Sequence, residues 1–249
     1  MPLIKPGDDL PTMILKASEE VGGLKDGDII VLASSAVATA HGRLRKLASI
    51  HPSKRAKLLA RRCDLRPEFV ELVLREADQV LGTSKLVVLT LKDGRLCTNA
   101  GIDSSNAPPG QVVLMPTKHN RTAREILQVL KQNVNARLGV IIADSYIQPL
   151  RLGTVGQAVG IAGIEPTVDC RGQPDLFGRP LLMTFRALAD QLASAAQVAM
   201  GEAAERVPAV VVRGASVIFT EKAKTSPKIA PKRCIYMNSL KLAKFLERG

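Results

Sequence analysis

Apolar, β-branched runs bounded by turn residues recur at four places along the chain, over residues 28–33, 86–91, 138–143 and 208–213. Runs of this length and composition read as buried strands. Between them the hydrophobic period changes to that of helices. One helix is expected over residues 10–21 and a second over 66–81, where Pro67 falls in the first turn and its missing N–H costs nothing. A third should begin at Thr122, whose hydroxyl forms a T-x-x-E capping box with Glu125 ahead of Ile126, Leu127 and Leu130. A fourth, alanine-rich, covers about 184–200 and stops at Gly201. Strands alternating with helices predict an α/β, or mixed α+β, architecture. The order is not a clean series of βαβ units, so it does not imply a doubly wound sheet.

At 249 residues, 46% hydrophobic and 23% charged, the chain suits one large domain or two small lobes and excludes disorder as a whole-chain class. No lobe boundary is legible in it. No apolar run reaches the ~20 residues that cross a bilayer, and Met1-Pro2-Leu3-Ile4-Lys5-Pro6 is too short for a signal peptide. A cytoplasmic protein with no membrane partner is expected. Cys63, Cys97, Cys170 and Cys234 form no C-x-x-C pair, and His41, His51 and His119 do not pair at metal-ligand spacing. Neither a disulfide framework nor a zinc site is expected.

Lys and Arg number 35 against 23 Asp and Glu, a net charge of +12. Eight of the cations lie between Arg43 and Arg62, and eight more between Lys222 and Arg248. Aromatic residues make up only 3% and Trp is absent, so stacking platforms for bases are lacking. Nucleic acid is therefore not expected as the primary ligand, and the basic surface reads as solvated. Residues 222–233, with Pro227 and Pro231 among lysines, should form an exposed basic loop before a last amphipathic helix over 239–246.

Three polar clusters adjoin strand ends, where α/β proteins bind ligands. Asn99-Ala100-Gly101-Ile102-Asp103-Ser104-Ser105-Asn106 packs a carboxylate, two amides and two hydroxyls around a glycine. Taken alone it is also an ordinary Asx-rich turn. Ala143-Asp144-Ser145 follows the run 140–142, an arrangement that holds Mg²⁺ near phosphates and equally that of a capping turn. Met200-Gly201-Glu202-Ala203 ends the alanine-rich helix, and Glu202 alone reads as a solvated acid. Phosphate-loop, dinucleotide and nucleophile-elbow motifs are absent. Gly153, Gly156, Gly160 and Gly163 form an open run that reads as turns or close chain crossings.

Together these segments resemble the coenzyme F420-0:L-glutamate ligase family, the GTP-dependent gamma-glutamyl ligases of the deazaflavin coenzyme. The resemblance runs from Pro2-Leu3-Ile4-Lys5-Pro6-Gly7-Asp8-Asp9-Leu10 through Ala33-Ser34-Ser35 and Arg66-Pro67-Glu68 to the Asn99–Asn106 cluster. It continues through Asp175-Leu176-Phe177-Gly178-Arg179, Ala189-Asp190, Met200-Gly201-Glu202 and Val212-Arg213-Gly214.

What the resemblance implies is a two-lobed α/β fold in an intertwined homodimer and a ligase reaction with GTP as co-substrate. Two divalent cations, Mg²⁺ or Mn²⁺, would be held by Asp103 and Asp144 and by Ser145 and Glu202, with Asp103 and Asp144 as catalytic residues. GTP would lie against Pro2, Leu3, Ile4, Ser34, Ser35, Thr39, Asn106, Met200, Gly201 and Ala203. L-Glutamate would be joined to the carboxylate of a deazaflavin phosphodiester acceptor through an acyl phosphate. Three departures stand out: Thr39 where the family pattern has Lys, His41 where it has an acid, and Gly156 where it has Asp. They leave open a ligase of the same fold with another carboxylate acceptor, or a non-catalytic relative that binds nucleotide or nucleic acid.

Overall fold

The computed structural model describes residues 1–240. In chain order its elements are α1 (Leu10–Ser18), β1 (Ile29–Ala33), α2 (Ser34–Ala40), β2 (Leu44–Lys46), α3 (Lys54–Cys63), α4 (Pro67–Glu76), β3 (Gln79–Ser84), β4 (Val87–Lys92) and β5 (Arg95–Thr98). They continue with β6 (Gln111–Val113), α5 (His119–Asn133), β7 (Gly139–Ile147), β8 (Thr154–Ala162), β9 (Val168–Asp169), β10 (Phe185–Arg186), α6 (Leu188–Met200), β11 (Ala209–Val212) and α7 (Ile235–Ser239). The architecture is mixed α/β. The chain divides into two units, the first made of Met1–Gly42 and Pro116–Pro227, the second of Arg43–Met115 and the segment beginning at Lys228.

In the first unit a four-stranded sheet has the order β11-β1-β7-β8. Only β1 and β7 run parallel, with Ala33 opposite Ala143 at their ends. Ile29 to Leu32 are shut off from solvent, which is why this strand reads as a continuous apolar run rather than an alternation. Between β7 and β8 the register slips at Ile142/Ala143, so that Ile142 faces Gly160 and Ala143 faces Ala158. That bulge inverts the alternation along β8. Before it, Gly156 and Ala158 point toward α6; beyond it, Ile161 does, and Gly160 faces the start of α5. A β-carbon on Gly156 would stand 2.6 Å from the Ala193 carbonyl oxygen, and one on Gly160 would stand 2.7 Å from that of His119. The glycine run is thus two close crossings, each seating one helix on the sheet.

Asp28, fully buried, anchors the sheet's far end. It accepts from Arg213 Nε and Nη2, both at 2.8 Å, and from the Lys25 N–H at 2.7 Å. Burial alone would raise this carboxyl, but the Arg213 and Lys25 hydrogen bonds outweigh it and hold the group below the usual aspartate range. A depressed acid contributes stability above its unfolded value near 4 and loses it as pH falls through the folded value. Arg213→Ala is therefore expected to cost about 2 kcal/mol at pH 7, less than a wholly buried pair because the arginine is half-exposed. Urea denaturation should show that deficit narrowing toward pH 3; a deficit independent of pH would contradict the account.

In the second unit β3, β4 and β5 form an antiparallel meander, and β2 pairs with β6. Its core joins Ala56, Ala60 and Cys63 of α3 to Phe69, Val70 and Val73 of α4 and to Val88 and Val112. Lys92, buried, donates to the Glu76 carbonyl and to its carboxylate at 2.8 and 2.7 Å, and Arg43 reaches the same carboxylate at 3.0 Å. Lys92→Met leaves Glu76 with one cation partner. A loss of about 1–2 kcal/mol is expected in chemical denaturation, partly offset by the apolar replacement.

Several expected boundaries move. The helix expected over 66–81 ends at Glu76, because residues 79–84 pair with β4. The third helix begins at His119 with Lys118 in a left-handed conformation as its cap; Thr122 is buried inside it, and Glu125 pairs with Arg121 instead of reaching back. The fourth begins at Leu188, since Phe185 and Arg186 pair with Asp169 and Val168. Of the last helix expected over 239–246, residues 241–246 lie outside the described ones, and α7 ends at Ser239. Residues 222–233 are mostly exposed, but buried Glu165 accepts from the Lys224 N–H at 2.8 Å and the Thr225 hydroxyl at 2.9 Å. Burial would raise that carboxyl too; those hydrogen bonds lower it on balance. The four cysteines are free thiols. No helix among the described residues is long and apolar enough to cross a membrane.

Candidate functional site

Because β1 and β7 are parallel neighbours in register, Ser34, which follows the end of β1, comes beside Asp144, where β7 runs on past its pairing with β1. Ser34 opens α2 and donates through Oγ to Asp144 Oδ1 at 2.7 Å. Such a crevice beyond the carboxyl ends of parallel strands is where open sheets place ligands. Asp144 is not a capping residue, since β7 runs on to Ile147. It lies within a strand, so Asp144 and Ser145 project from opposite faces.

Ser145 faces α6. Its Oγ donates to Glu202 Oε1 at 2.8 Å, and Thr154, near the start of β8, donates to the same oxygen at 3.1 Å. Gln197 of α6 donates to Ser145 Oγ at 3.0 Å and also contacts Glu202 Oε1. Glu202 reaches this point because Gly201 ends α6 with φ of 69° and ψ of −176°, a conformation that L side chains avoid. Glu202 is therefore a partnered acid and not a free surface carboxylate. Thr154 and Gln197 were invisible as site residues in the sequence. An amide one turn before the helix-ending glycine, in an otherwise alanine-rich helix, is the one signal that could have marked Gln197.

In the second unit, Asn99, Ala100 and Gly101 all have positive φ, between 53° and 67°. Two successive non-glycine residues in this region are strained, and the surroundings hold them there. Asn99 Oδ1 accepts from the Val88 N–H at 2.8 Å, and the Ala100 N–H donates to Thr90 Oγ1 at 3.0 Å. A β-carbon on Gly101 would stand 2.3 Å from Met115 Cε. The turn delivers Asp103 into a two-way bridge with Val113, while Asp103 Oδ1 accepts from the Ser105 N–H at 2.7 Å. Asn106 follows with φ of 53°.

The remaining sequence candidates are scattered around these points. Pro2, Leu3 and Ile4 precede α1, with Leu3 exposed, and Ser35 follows Ser34 in the first turn of α2. Thr39 is in the last turn of α2, about 7 Å along the axis from Ser34, so it does not share that end of the helix. Met200, Gly201 and Ala203 bracket the bend that carries Glu202. Within the first unit the fold thus brings Asp144 to Ser34, and Ser145 to Glu202, on two faces of one strand.

Among the described residues no three His, Cys, Asp or Glu side chains converge on a metal-sized point. The first unit instead offers two separate oxygen-donor sets with one carboxylate each. Those donors fit a hard cation of the Mg²⁺ kind, which takes one or two carboxylates and fills its shell with water and phosphate oxygens. They do not fit a soft metal, since neither set contains sulfur or imidazole.

The class is that of a mixed α/β protein with a set of oxygen donors where two parallel strands end their pairing. The sequence profile described as F420-0:Gamma-glutamyl ligase matches residues 1–214. The chain belongs to that family of ligase enzymes. Among its relatives, the coenzyme F420:L-glutamate ligase of Methanopyrus kandleri is 43% identical over 212 residues, 85% of this chain and 82% of that one. The proteins of that name from Methanothermobacter thermautotrophicus and Archaeoglobus fulgidus are 42% and 40% identical, with 86% and 87% of this chain and 86% of each relative covered.

Proposed function

We propose that the chain joins the α-amine of L-glutamate to the carboxylate of the deazaflavin phosphodiester F420-0, using GTP and divalent cations. The observation that carries this reading is the pair of one-carboxylate donor sets on opposite faces of β7, Asp144 with Ser34 and Ser145 with Glu202, in a chain of this family. A free carboxylate does not form an amide at neutral pH. In the proposed reaction a carboxylate oxygen of the acceptor attacks the γ-phosphorus and GDP leaves, giving an acyl phosphate. The glutamate nitrogen then attacks the acyl carbon, phosphate departs, and the amine loses its proton. No protein nucleophile is needed.

Divalent cations, when bound, would neutralise triphosphate charge and stabilise the charge that develops on transfer. Asp144 would help to hold one, and Glu202 with Ser145 the other. Ser34 orients the Asp144 carboxylate for ligation, and Thr154 and Gln197 fix Glu202 in the same way. Ser35 and the 200–203 bend would meet the nucleotide, with Pro2, Leu3 and Ile4 against the base.

The first test is thermal unfolding with GTP or ATP, with and without Mg²⁺ or Mn²⁺. At a hundredfold excess over Kd, selective binding should add about 2.7 kcal/mol of apparent stability. A GTP shift that requires the cation supports the reading. A folded sample that responds to neither nucleotide would instead favour a non-catalytic relative, in which Thr39 and Gly156 mark a lost site. If GTP binds but F420-0 does not provoke GDP release, the acceptor is another carboxylate.

A homodimer belongs to the same proposal. In the first unit Leu150 and Leu152, at the β7–β8 tip, are fully exposed, as is Leu176; Phe177, Leu182 and Met183 are nearly so. Apolar side chains in such number call for a protein partner. Light scattering should give twice the chain mass, and Leu150→Asp with Leu152→Asp should lower it.

A further inference from the structure

Almost all of the chain's charge sits in one unit. The described part of the second unit, Arg43–Met115 with residues 228–240, carries 16 Lys and Arg against 7 Asp and Glu, whereas the first carries 16 against 15. Within the second unit α3 holds the densest group: Lys54, Arg55, Lys57, Arg61 and Arg62 in ten residues, all exposed. None of the five forms an ion pair with a described carboxylate. The acids of this unit that do pair are Glu68 with Arg66, Glu71 with Arg75, and Glu76 with Arg43 and Lys92. Asp64 caps the helix, and with Glu68 it lies in the shallow groove bordered by Lys57 and Arg61.

Three of the five cations are placed against the helix's own stability, while Arg61 and Arg62 lie in its last turn, where cations are favoured. Lys54, Arg55 and Lys57 occupy its beginning, where the macrodipole favours acids; the first turn itself carries none, and the one carboxylate that reaches it is that of Glu71 in α4, which accepts from the Ser53 N–H at 2.9 Å. A solvated surface helix gains nothing from that choice, so a partner is the better account of it.

Their angular placement says which partner. At 100° per residue, Lys57, Arg61 and Lys54 fall on one side of exposed Leu58, and Arg62 and Arg55 on the other, an arc of roughly 160°. Two cationic rows flanking a single apolar residue match a groove walled by two phosphate strands. The B-DNA major groove, about 12 Å wide, admits a helix of this diameter. The deep, narrow major groove of A-form RNA does not. A bilayer surface would need an apolar face to insert, and that of α3 is used up in the core by Ala56, Ala60 and Cys63.

We propose that α3 docks on duplex DNA through backbone phosphates, without sequence preference. Contacts of this kind require no aromatic platform, so the low aromatic content that argues against base stacking does not bear on them. The proposal is independent of the ligase reading, since its readout is binding alone.

The test is fluorescence anisotropy of a labelled DNA duplex of about 20 base pairs and arbitrary sequence, titrated with the full chain between 50 and 200 mM KCl. Five phosphate contacts predict a slope of log K against log salt near −4.5, a loss of about 500-fold across that range. Lys54→Gln with Lys57→Gln and Arg61→Gln should reduce the slope to roughly −2. Lys16→Gln with Lys25→Gln and Lys131→Gln, three cations of the first unit, should leave it unchanged. Circular dichroism on both variants ensures that folding does not enter the comparison. The proposal is overturned if the α3 variant keeps the full slope, if the control variant loses as much, or if duplex RNA or phosphatidylserine vesicles bind more tightly than the DNA.

Discussion

Asp144→Ala is expected to lower glutamate addition at least a thousandfold while leaving the fold intact. The change removes the one carboxylate that β7 presents on the Ser34 face, and the charge it would neutralise is not replaced by any described group of that donor set. A thousandfold is about 4 kcal/mol of transition-state stabilisation, the scale expected for a metal-binding carboxylate in phosphoryl transfer. Stability should change little, because Asp144 is partly exposed. GDP release in the presence of acceptor and glutamate measures the effect, and unaltered circular dichroism separates it from unfolding. A variant retaining even a tenth of the activity would remove Asp144 from the site. Asp144→Asn should fare no better, since the amide keeps the Ser34 contact but lacks the charge.

Gly156→Asp should cost about 4 kcal/mol and lower Tm by roughly 10 °C, although it restores the acid of the family pattern. A β-carbon there would stand 2.6 Å from the Ala193 carbonyl oxygen and 2.9 Å from the Ser194 nitrogen, so α6 must lift away from β8. Backbone cannot yield as a flexible side chain does, and the new carboxylate would be buried against a carbonyl. Activity should fall as well, because α6 carries Gln197 and the Gly201 bend that hold Glu202 over Ser145. Gly82→Ala, which has open space around its β-carbon, serves as the control and should stay within about 0.5 kcal/mol. If Gly156→Asp melts with the parent protein, the close seating of α6 on β8 is wrong.

The four apolar runs became β1, β4, β7 and β11 because buried strands declare themselves by composition alone. Gly201 as the end of the alanine-rich helix was equally legible, since only glycine takes its backbone angles without strain. The Asn99–Asn106 and Asp175–Arg179 segments, in their order with the others along the chain, were enough to place the chain in its family. By contrast, residues 79–81 end the helix expected from the sequence and still belong to β3, because pairing with β4 outweighs local preference. The T-x-x-E box at Thr122 failed for a similar reason. Packing of α5 against the sheet buries Thr122 and moves the helix start back to His119.

Several polar residues near the strand ends were therefore legible as candidates, whereas Thr154, Gln197 and the grouping of all of them were not. Adjacent Asp144 and Ser145 look like one cluster in sequence, yet strand geometry sends them to opposite faces, one toward Ser34 and the other toward Gln197 and Glu202. The bulge opposite Ile142 and Ala143 decides which residues of β8 meet α6, and so brings Thr154 to Glu202. A bulge is a property of two paired strands, set by long-range packing, and no local pattern in either strand encodes it. The same holds for charge: the chain states a net +12, but only the division into units shows that the described part of the unit carrying α3 holds 16 Lys and Arg against 7 Asp and Glu, while the first unit is close to neutral.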